Sequence, residues 1–441
     1  MDNQKFTENR KFHDIWAFFF YFICLVTCIW YCNSSLGSMN IQNHATPDIF
    51  NVAIYNVLIM IVLNFIALLL IMTIPKALIF FSLLFIPVLN LALFFMTAQI
   101  GFLFSSAVSF LISFLVFMFV LTDLEFSCLV IKKASRIVAE YFGLILFTYV
   151  FLCAISGLLL IPIFRLSNSS NEKEIAFSIG CFMFFWTTLV SSYLYDVMVA
   201  GIVYGEITKP PHKKDQNVAR NAFKATFYAI GTVCYAAMIL AFIKALRSSY
   251  NNQANSIINN NNNNNTAVFN QILAAIVLIF IGCLISILET FVSTINRFLM
   301  PYVAVKGKNL KNSMIESFDL IYQKRVYALS TFCGAAYVTY FVKLIGIFII
   351  IALNGAFIFY FDKSSNKSFL FSNIVIGIIA SIMHIQFITC VSSASLAMIY
   401  SFAFAKESFN NYDPALFKEF ESKEYLIKPS LPPQIIKKTE S

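Results

Sequence analysis

Apolar runs of about twenty residues recur along this chain of 441 residues, and that is the length at which an α-helix crosses the hydrocarbon of a bilayer. In lipid, every backbone N–H and C=O must find its partner inside the protein, so each run is expected to be helical. Charge agrees, because Asp, Glu, Lys and Arg make up 12% of the residues, roughly half the share that covers soluble domains. The expected fold is all-α, a polytopic membrane bundle of ten helices near 15–32, 55–74, 77–98, 101–121, 140–163, 175–204, 225–245, 268–294, 332–360 and 372–402. The first has an aromatic-rich core and no small-residue cleavage site after it, and reads as a retained signal anchor. The implied layout is a cytoplasmic N-terminus over 1–14, a transmembrane domain over 15–402 and a polar, flexible cytoplasmic tail over 403–441.

One missed break would invert every later loop, and the least marked break is Thr97–Gly101 between the third and fourth helices. Two features fix the parity without it. With both termini in the cytoplasm, 24 of the 31 Lys and Arg fall in inside segments and five in outside loops, as the positive-inside rule requires. The N-x-[ST] sequons at Asn33, Asn168, Asn264 and Asn366 all fall in loops placed outside. These four are the expected glycosylation sites, and they imply passage through the secretory pathway. The plasma membrane is the expected destination, with an endolysosomal or other endomembrane compartment as the alternative.

Much is excluded. No loop exceeds about forty residues, too few for a folded catalytic or nucleotide-binding domain beside the membrane. There is no GxxxxGK[ST] phosphate loop and no HExxH, the four His are scattered, and the ten Cys lie in or beside apolar runs without a CxxC pair. An ATP-driven pump, a zinc enzyme and a disulfide framework are therefore unsupported, and no cofactor or metal is expected. The formal charge of +9 is accounted for by the inside loops, so nucleic acid is not an expected partner and membrane lipids are. The Asn run 259–265 reads as a low-complexity tether in an outside loop.

Ionisable residues inside spans are costly, and each is a functional candidate. Lys244 snorkels at the outer end of the seventh helix, Glu289 lies near the inner end of the eighth, and Lys343 lies well inside the ninth. Asp196 is the most informative. It follows Tyr193 by three residues and Ser192 by four, and Trp186 precedes Tyr193 by seven, so an aromatic and polar stripe shares one flank of the sixth helix. Aromatic faces with a carboxylate suit a quaternary ammonium, which cannot donate ordinary hydrogen bonds and is held by ring faces at about 0.5–2 kcal/mol each. Trp186, Tyr193 and Asp196 are the candidate substrate-binding residues, and an inter-helix pair of Asp196 with Lys343 is the alternative. Asn64, Asn354, His384 and Gln386 read as inter-helix hydrogen-bonding groups.

The inside loop 295–331 holds Leu310, Met314, Phe318 and Ile321 at helical spacing with Lys308, Lys311, Lys324 and Arg325 on other faces, an amphipathic helix over 308–325. Two roles are open for it, lying on the inner leaflet or crossing the cytoplasmic mouth of the bundle. Here the chain also resembles a family. Asn296-Arg297-Phe298…Ala304-Val-Lys-Gly307-Lys308…Ser317-Phe318-Asp319-Leu320…Arg325-Val-Tyr-Ala328-Leu329…Cys333 is similar to the signature of the choline-transporter-like family. Trp186…Val190…Val199-Ala200-Gly201, Lys224 through Gly231, and Lys11-Phe-His-Asp14-Ile15-Trp16 agree in order. The Asn and His usual in that family's sixth helix fall at Tyr193 and Asp196, and its second glycine of the next helix is Ala236.

That resemblance implies a ten-helix transporter with cytosolic termini that moves choline or a related small organic cation without ATP hydrolysis. Asp196 would supply the countercharge. A transporter of a different solute, a channel, a headgroup-modifying membrane enzyme and a non-transporting structural or trafficking protein are the competing readings.

Overall fold

The computed structural model describes residues 10–34, 47–121, 124–158, 174–209, 218–260, 268–324, 326–361 and 367–427. They form fourteen helices: α1 (Ile15–Ser34), α2 (Pro47–Thr73), α3 (Pro75–Thr97), α4 (Ile100–Leu121), α5 (Leu124–Glu140), α6 (Phe142–Leu158), α7 (Glu174–Ile207), α8 (Val218–Asn260), α9 (Val268–Lys306), α10 (Leu310–Lys324), α11 (Val326–Phe361), α12 (Lys367–Phe404), α13 (Lys406–Tyr412) and α14 (Pro414–Ile427). Seven of them are long and apolar enough to cross a membrane, and α5 with α6 makes an eighth as a pair bent by 77°. Two of the ten expected spans, the first and the fourth, correspond to the shorter apolar helices α1 and α4. The protein is an all-α polytopic membrane protein. Among the sequons, Asn33 lies in the last turn of α1, whereas Asn168, Asn264 and Asn366 lie outside the described residues.

Helices α7 and α12 form the centre. Helix α7 packs against α1, α6, α8, α9 and α12, and α12 against α2, α5, α7, α9 and α11. Both are buried over long stretches, Val197–Ala200 in α7 and Ala394–Ala397 in α12 being 0–2% exposed. The α3–α4 hairpin sits at the edge. Its break is real: Ala98 turns into the left-handed region at φ 54° and donates to the Phe94 carbonyl before α4 begins.

Three expectations are corrected. The inside segment 122–139 is not a loop but the amphipathic helix α5, which buries Val130, Ile131, Ala134 and Ile137 and turns Lys132 and Arg136 outward. It packs on α2, α11 and α12. The tail after Phe402 is not wholly flexible, because α13 and α14 fold back onto α5. Phe420 stacks on Phe402 at 4.6 Å and meets Phe126 edge-on at 4.7 Å. Lys133 of α5 pairs with Asp413 at 2.6 Å. Burial pushes the Asp413 carboxyl up, but Lys133 and the amides of Ala415 and Leu416 outweigh it and hold the group below the usual aspartate range. Third, the eighth span does not end at 294; α9 runs on to Lys306.

The expected 308–325 helix is present as α10, docked by a different face. Leu310, Ser313 and Ser317 are buried, whereas Met314 and Phe318 stand exposed. Its start is fixed by the N-terminal segment: the Asp14 carboxylate accepts from the Leu310 amide at 2.9 Å, satisfying an orphan N–H at the first turn, and from the Thr232 hydroxyl of α8 at 3.0 Å. Arg10 donates to the carbonyls of Ala304 and Val305 at the end of α9, where a cation meets the negative end of the helix dipole. Gly307 ends α9 with φ +62° and its N–H on the Val303 carbonyl, a left-handed cap that suits glycine. Glu316 accepts from Lys308 and from Tyr302, and these bonds hold its carboxyl below the ordinary range.

Gly231 shows how tight this junction is. A Cβ there would sit 2.4 Å from the His13 carbonyl oxygen and 2.6 Å from that of Asp14. Gly231→Ala is therefore expected to cost about 1–3 kcal/mol, read as a lower thermal midpoint of the purified protein, and an unchanged midpoint would contradict the packing. Phe420→Ala is expected to remove about 3–5 kcal/mol of tail docking, seen as faster amide exchange in 406–427 and α5 while α7 keeps its protection. Acid should do the same more weakly: the Lys133–Asp413 contribution is intact above the ordinary aspartate pKa of about 3.9 and is lost as pH falls through the depressed value.

Candidate functional site

The three residues singled out on α7 do not converge. Trp186 donates its indole N–H to the Cys234 carbonyl of α8 at 3.3 Å, and its ring is walled by Tyr21 at 5.2 Å and by Phe20 and Phe182 at 6.0 Å. It is 1% exposed and anchors α1, α7 and α8 together. Residues seven apart do share a helix face, but they are also about 10 Å apart along the axis. That separation leaves Trp186 out of the layer that holds Tyr193 and Asp196.

Tyr193 and Asp196 are brought together, with partners from two other helices. The Tyr193 hydroxyl accepts from the Asn296 amide of α9 at 3.2 Å, and the same amide reaches the Ala236 carbonyl of α8 at 3.3 Å. Asp196, 3% exposed, accepts from the Ser393 hydroxyl of α12 at 2.7 Å. The alternative of a direct pair with Lys343 is not formed, since among the described residues Asp196 has no ion pair within 4.0 Å. Lys343 is nonetheless within electrostatic reach, and so is Arg297. Arg297, counted among cytoplasmic residues because the eighth span was ended at 294, lies within α9 with its side chain exposed. The signal was present, in that Phe298-Leu-Met-Pro-Tyr-Val-Ala-Val305 continues the apolar run beyond it.

Alongside this layer, a second set of polar groups ties α2, α11 and α12. Asn56 and Asn354 exchange amide hydrogen bonds at 2.9 and 3.0 Å, and Asn373 donates to the Asn354 carbonyl at 3.3 Å. His384 contacts Asn64 Oδ1 through Nδ1 at 2.7 Å, and its Nε2 lies 3.4 Å from the Val342 carbonyl. Gln386 accepts from the Tyr149 hydroxyl at 3.0 Å. These are the inter-helix hydrogen bonds that the sequence suggests for Asn64, Asn354, His384 and Gln386. Asn64 Nδ2 is buried without a partner, so His384 carries the connection to α12.

A cavity of about 770 Å³ opens between α7, α8 and α9, lined among others by Ser178, Phe182, Lys244, Arg247, Ser248 and Glu289. Arg247 and Glu289 pair across it at 2.6 Å. Glu289 therefore lies level with the end of the α8 span assigned outside, not near the inner end of its own helix. It is seventeen residues, about 26 Å, from Lys306.

The sequence profile described as plasma-membrane choline transporter matches residues 104–407. A protein of Mycosarcoma maydis named Protein PNS1 is 25% identical over 206 residues, 46% of this chain and 36% of that protein. A CTL-like protein of Dictyostelium discoideum is 25% identical over 214 residues, 43% of this chain and 36% of its own length. In Aspergillus fumigatus, Protein pns1 is 26% identical over 176 residues, 37% of this chain and 31% of its own. The matched stretch thus spans about a third of the length of these relatives.

His384 fits only because Gly346 of α11 has no side chain, a Cβ there lying 1.9 Å from His384 Nε2. Gly346→Ala is expected to expel the imidazole from Asn64 and cost about 1–3 kcal/mol. The thermal midpoint in detergent checks it, and His384→Ala added to Gly346→Ala should recover part of the loss.

Proposed function

Because the chain belongs to the plasma-membrane choline transporter family, we propose that it carries a small ammonium-bearing solute of the choline class across a membrane, without ATP hydrolysis and without enzymatic turnover. One observation supports this above the others: a buried carboxylate, Asp196, inside a span and beside the aromatic ring of Tyr193. An ammonium loses its water on entering such a layer. The carboxylate supplies countercharge, and ring faces supply the attraction that a quaternary nitrogen cannot obtain through N–H donation.

Entry is from the side on which the sequons fall, and the cell surface is the membrane proposed. In that orientation Asn33, Asn168, Asn264 and Asn366 are available as glycan acceptors. Release to the other side requires α5 to move, because α5 packs on α2, α11 and α12 and α14 folds back onto α5. Lipid surrounds the bundle as its remaining partner.

The experiment is uptake of radiolabelled choline into vesicles holding the purified protein, against empty vesicles and the Asp196→Asn variant. Saturable uptake is expected, reduced by about tenfold or more in the variant at equal protein abundance, since a lost countercharge in a span is worth more than 1.4 kcal/mol. Equal loss of uptake and of folded protein would make Asp196 a folding residue.

A further inference from the structure

The cavity between α7, α8 and α9 is separate from the layer around Asp196, and small side chains facing one another are what create it. Ala241, Lys244, Ala245 and Ser248 fall at i, i+3, i+4 and i+7, one face of α8, and all four line the space. Ser178, Cys181 and Phe185 line it from α7 at i, i+3 and i+7. With alanines opposite a serine and a cysteine, the helices leave about 770 Å³ between them, within the range of about 300–1,000 Å³ usual for ligand sites.

Its polar half is cationic. Lys244, Arg247 and Glu289 are the charged residues of the lining and sum to +1, so one anionic group neutralises it. Arg247 donates through Nη1 to Glu289 at 2.6 Å, which uses one of five guanidinium N–H groups. Among the described residues, no other acceptor reaches Arg247, and Lys244 has neither a hydrogen bond nor an ion pair. Guanidinium and ammonium groups left with unfilled donors suit the oxygens of a phosphate.

Depth selects the kind of phosphate. Lys244 and Arg247 stand where the apolar run Ala236-Ala-Met-Ile-Leu-Ala-Phe-Ile243 gives way to Arg247-Ser-Ser-Tyr-Asn-Asn252, the boundary at which long basic side chains reach the headgroup level. Toward the middle of the span the lining turns apolar, at Ala241 and Phe185. Phe185 is 54% exposed, so this half opens along the face of a span, where acyl chains lie. A water-soluble phosphate would leave it unfilled.

We propose that the cavity is a phospholipid site in the leaflet at the outer end of α8, with the phosphodiester on Lys244 and Arg247 and the chains leaving along Phe185. It is independent of the solute proposed for Asp196.

Dihexanoylphosphatidylglycerol, glycerol 3-phosphate and dihexanoylglycerol offer the whole lipid, its phosphate alone and its chains alone. Each is titrated onto the purified full chain in detergent, and bound mass is read by native mass spectrometry. One saturable equivalent of dihexanoylphosphatidylglycerol is expected, weakened about tenfold or more by Lys244→Met and kept within about threefold by Lys244→Arg. Ala245→Leu, which fills the cavity and leaves its charge alone, should weaken binding as much. The two changes act on charge and on volume separately, so if one variant fails to fold the other still decides. Glycerol 3-phosphate binding as tightly as the lipid would overturn the lipid and leave a site for free phosphate esters. Equal binding of dihexanoylglycerol would remove the phosphate from the recognition. Affinity unchanged in a variant that is folded by its thermal midpoint would place the lipid elsewhere on the protein, and folded wild-type protein that binds none would end the proposal.

Discussion

Helix α7 is enclosed by protein on nearly every side, and most of the molecule is arranged around that fact. Over Trp186–Ile207 it meets α1, α6, α8, α9 and α12, and Val197 through Ala200 are wholly out of contact with lipid or water. A helix so placed can carry polar groups that a lipid-facing helix cannot, provided its neighbours supply partners. They do so one at a time: Cys234 from α8 for Trp186, Asn296 from α9 for Tyr193, and Ser393 from α12 for Asp196. Each bond fixes one neighbour's depth against α7, so the register of the bundle and the geometry of the charged layer are the same set of contacts.

The motifs that resemble the family do work of a particular kind. Asp14 caps α10 and holds α8, Gly231 admits the backbone of His13 and Asp14, Gly307 ends α9, and Asn296 joins α9 to α7 and α8. These are joints between helices, and most of them cluster where the N-terminal segment meets the α9–α10 turn. The positions that depart from the family pattern on α7, Tyr193 and Asp196, lie in the charged layer instead. Resemblance through joints identifies a fold and leaves the solute to be decided by other residues.

What could be read from the chain follows the same division. Apolar runs were sufficient for the long spanning helices, because lipid imposes them directly, and even the short break after Thr97 was legible. Helix α5 was not, since Lys132, Lys133 and Arg136 mark it as cytoplasmic and a charge count cannot tell a loop from an amphipathic helix laid on the bundle. Helix α14 was hidden likewise, its Leu416 and Phe420 being too few to form an apolar run. Arg297 was misplaced because a charged residue reads as the end of a span. For Trp186, spacing gives the face it shares with Tyr193 and says nothing of depth.

Helix α8 has 43 residues, about 65 Å at 1.5 Å per residue and roughly twice the hydrocarbon thickness. Helix α9 runs beside it, with Gly282 seating the Tyr250 ring beyond the Arg247–Glu289 pair. The two thus form a stiff paired arm joined at Ala236 and Asn296. From Ala236 to Asn260 is about 36 Å of continuous helix, so a tilt of about 10° at the solute layer swings the far end by about 6 Å. Whatever grips, cross-links or lies against that tip from outside the membrane has mechanical advantage over Asn296 and, through it, over Tyr193.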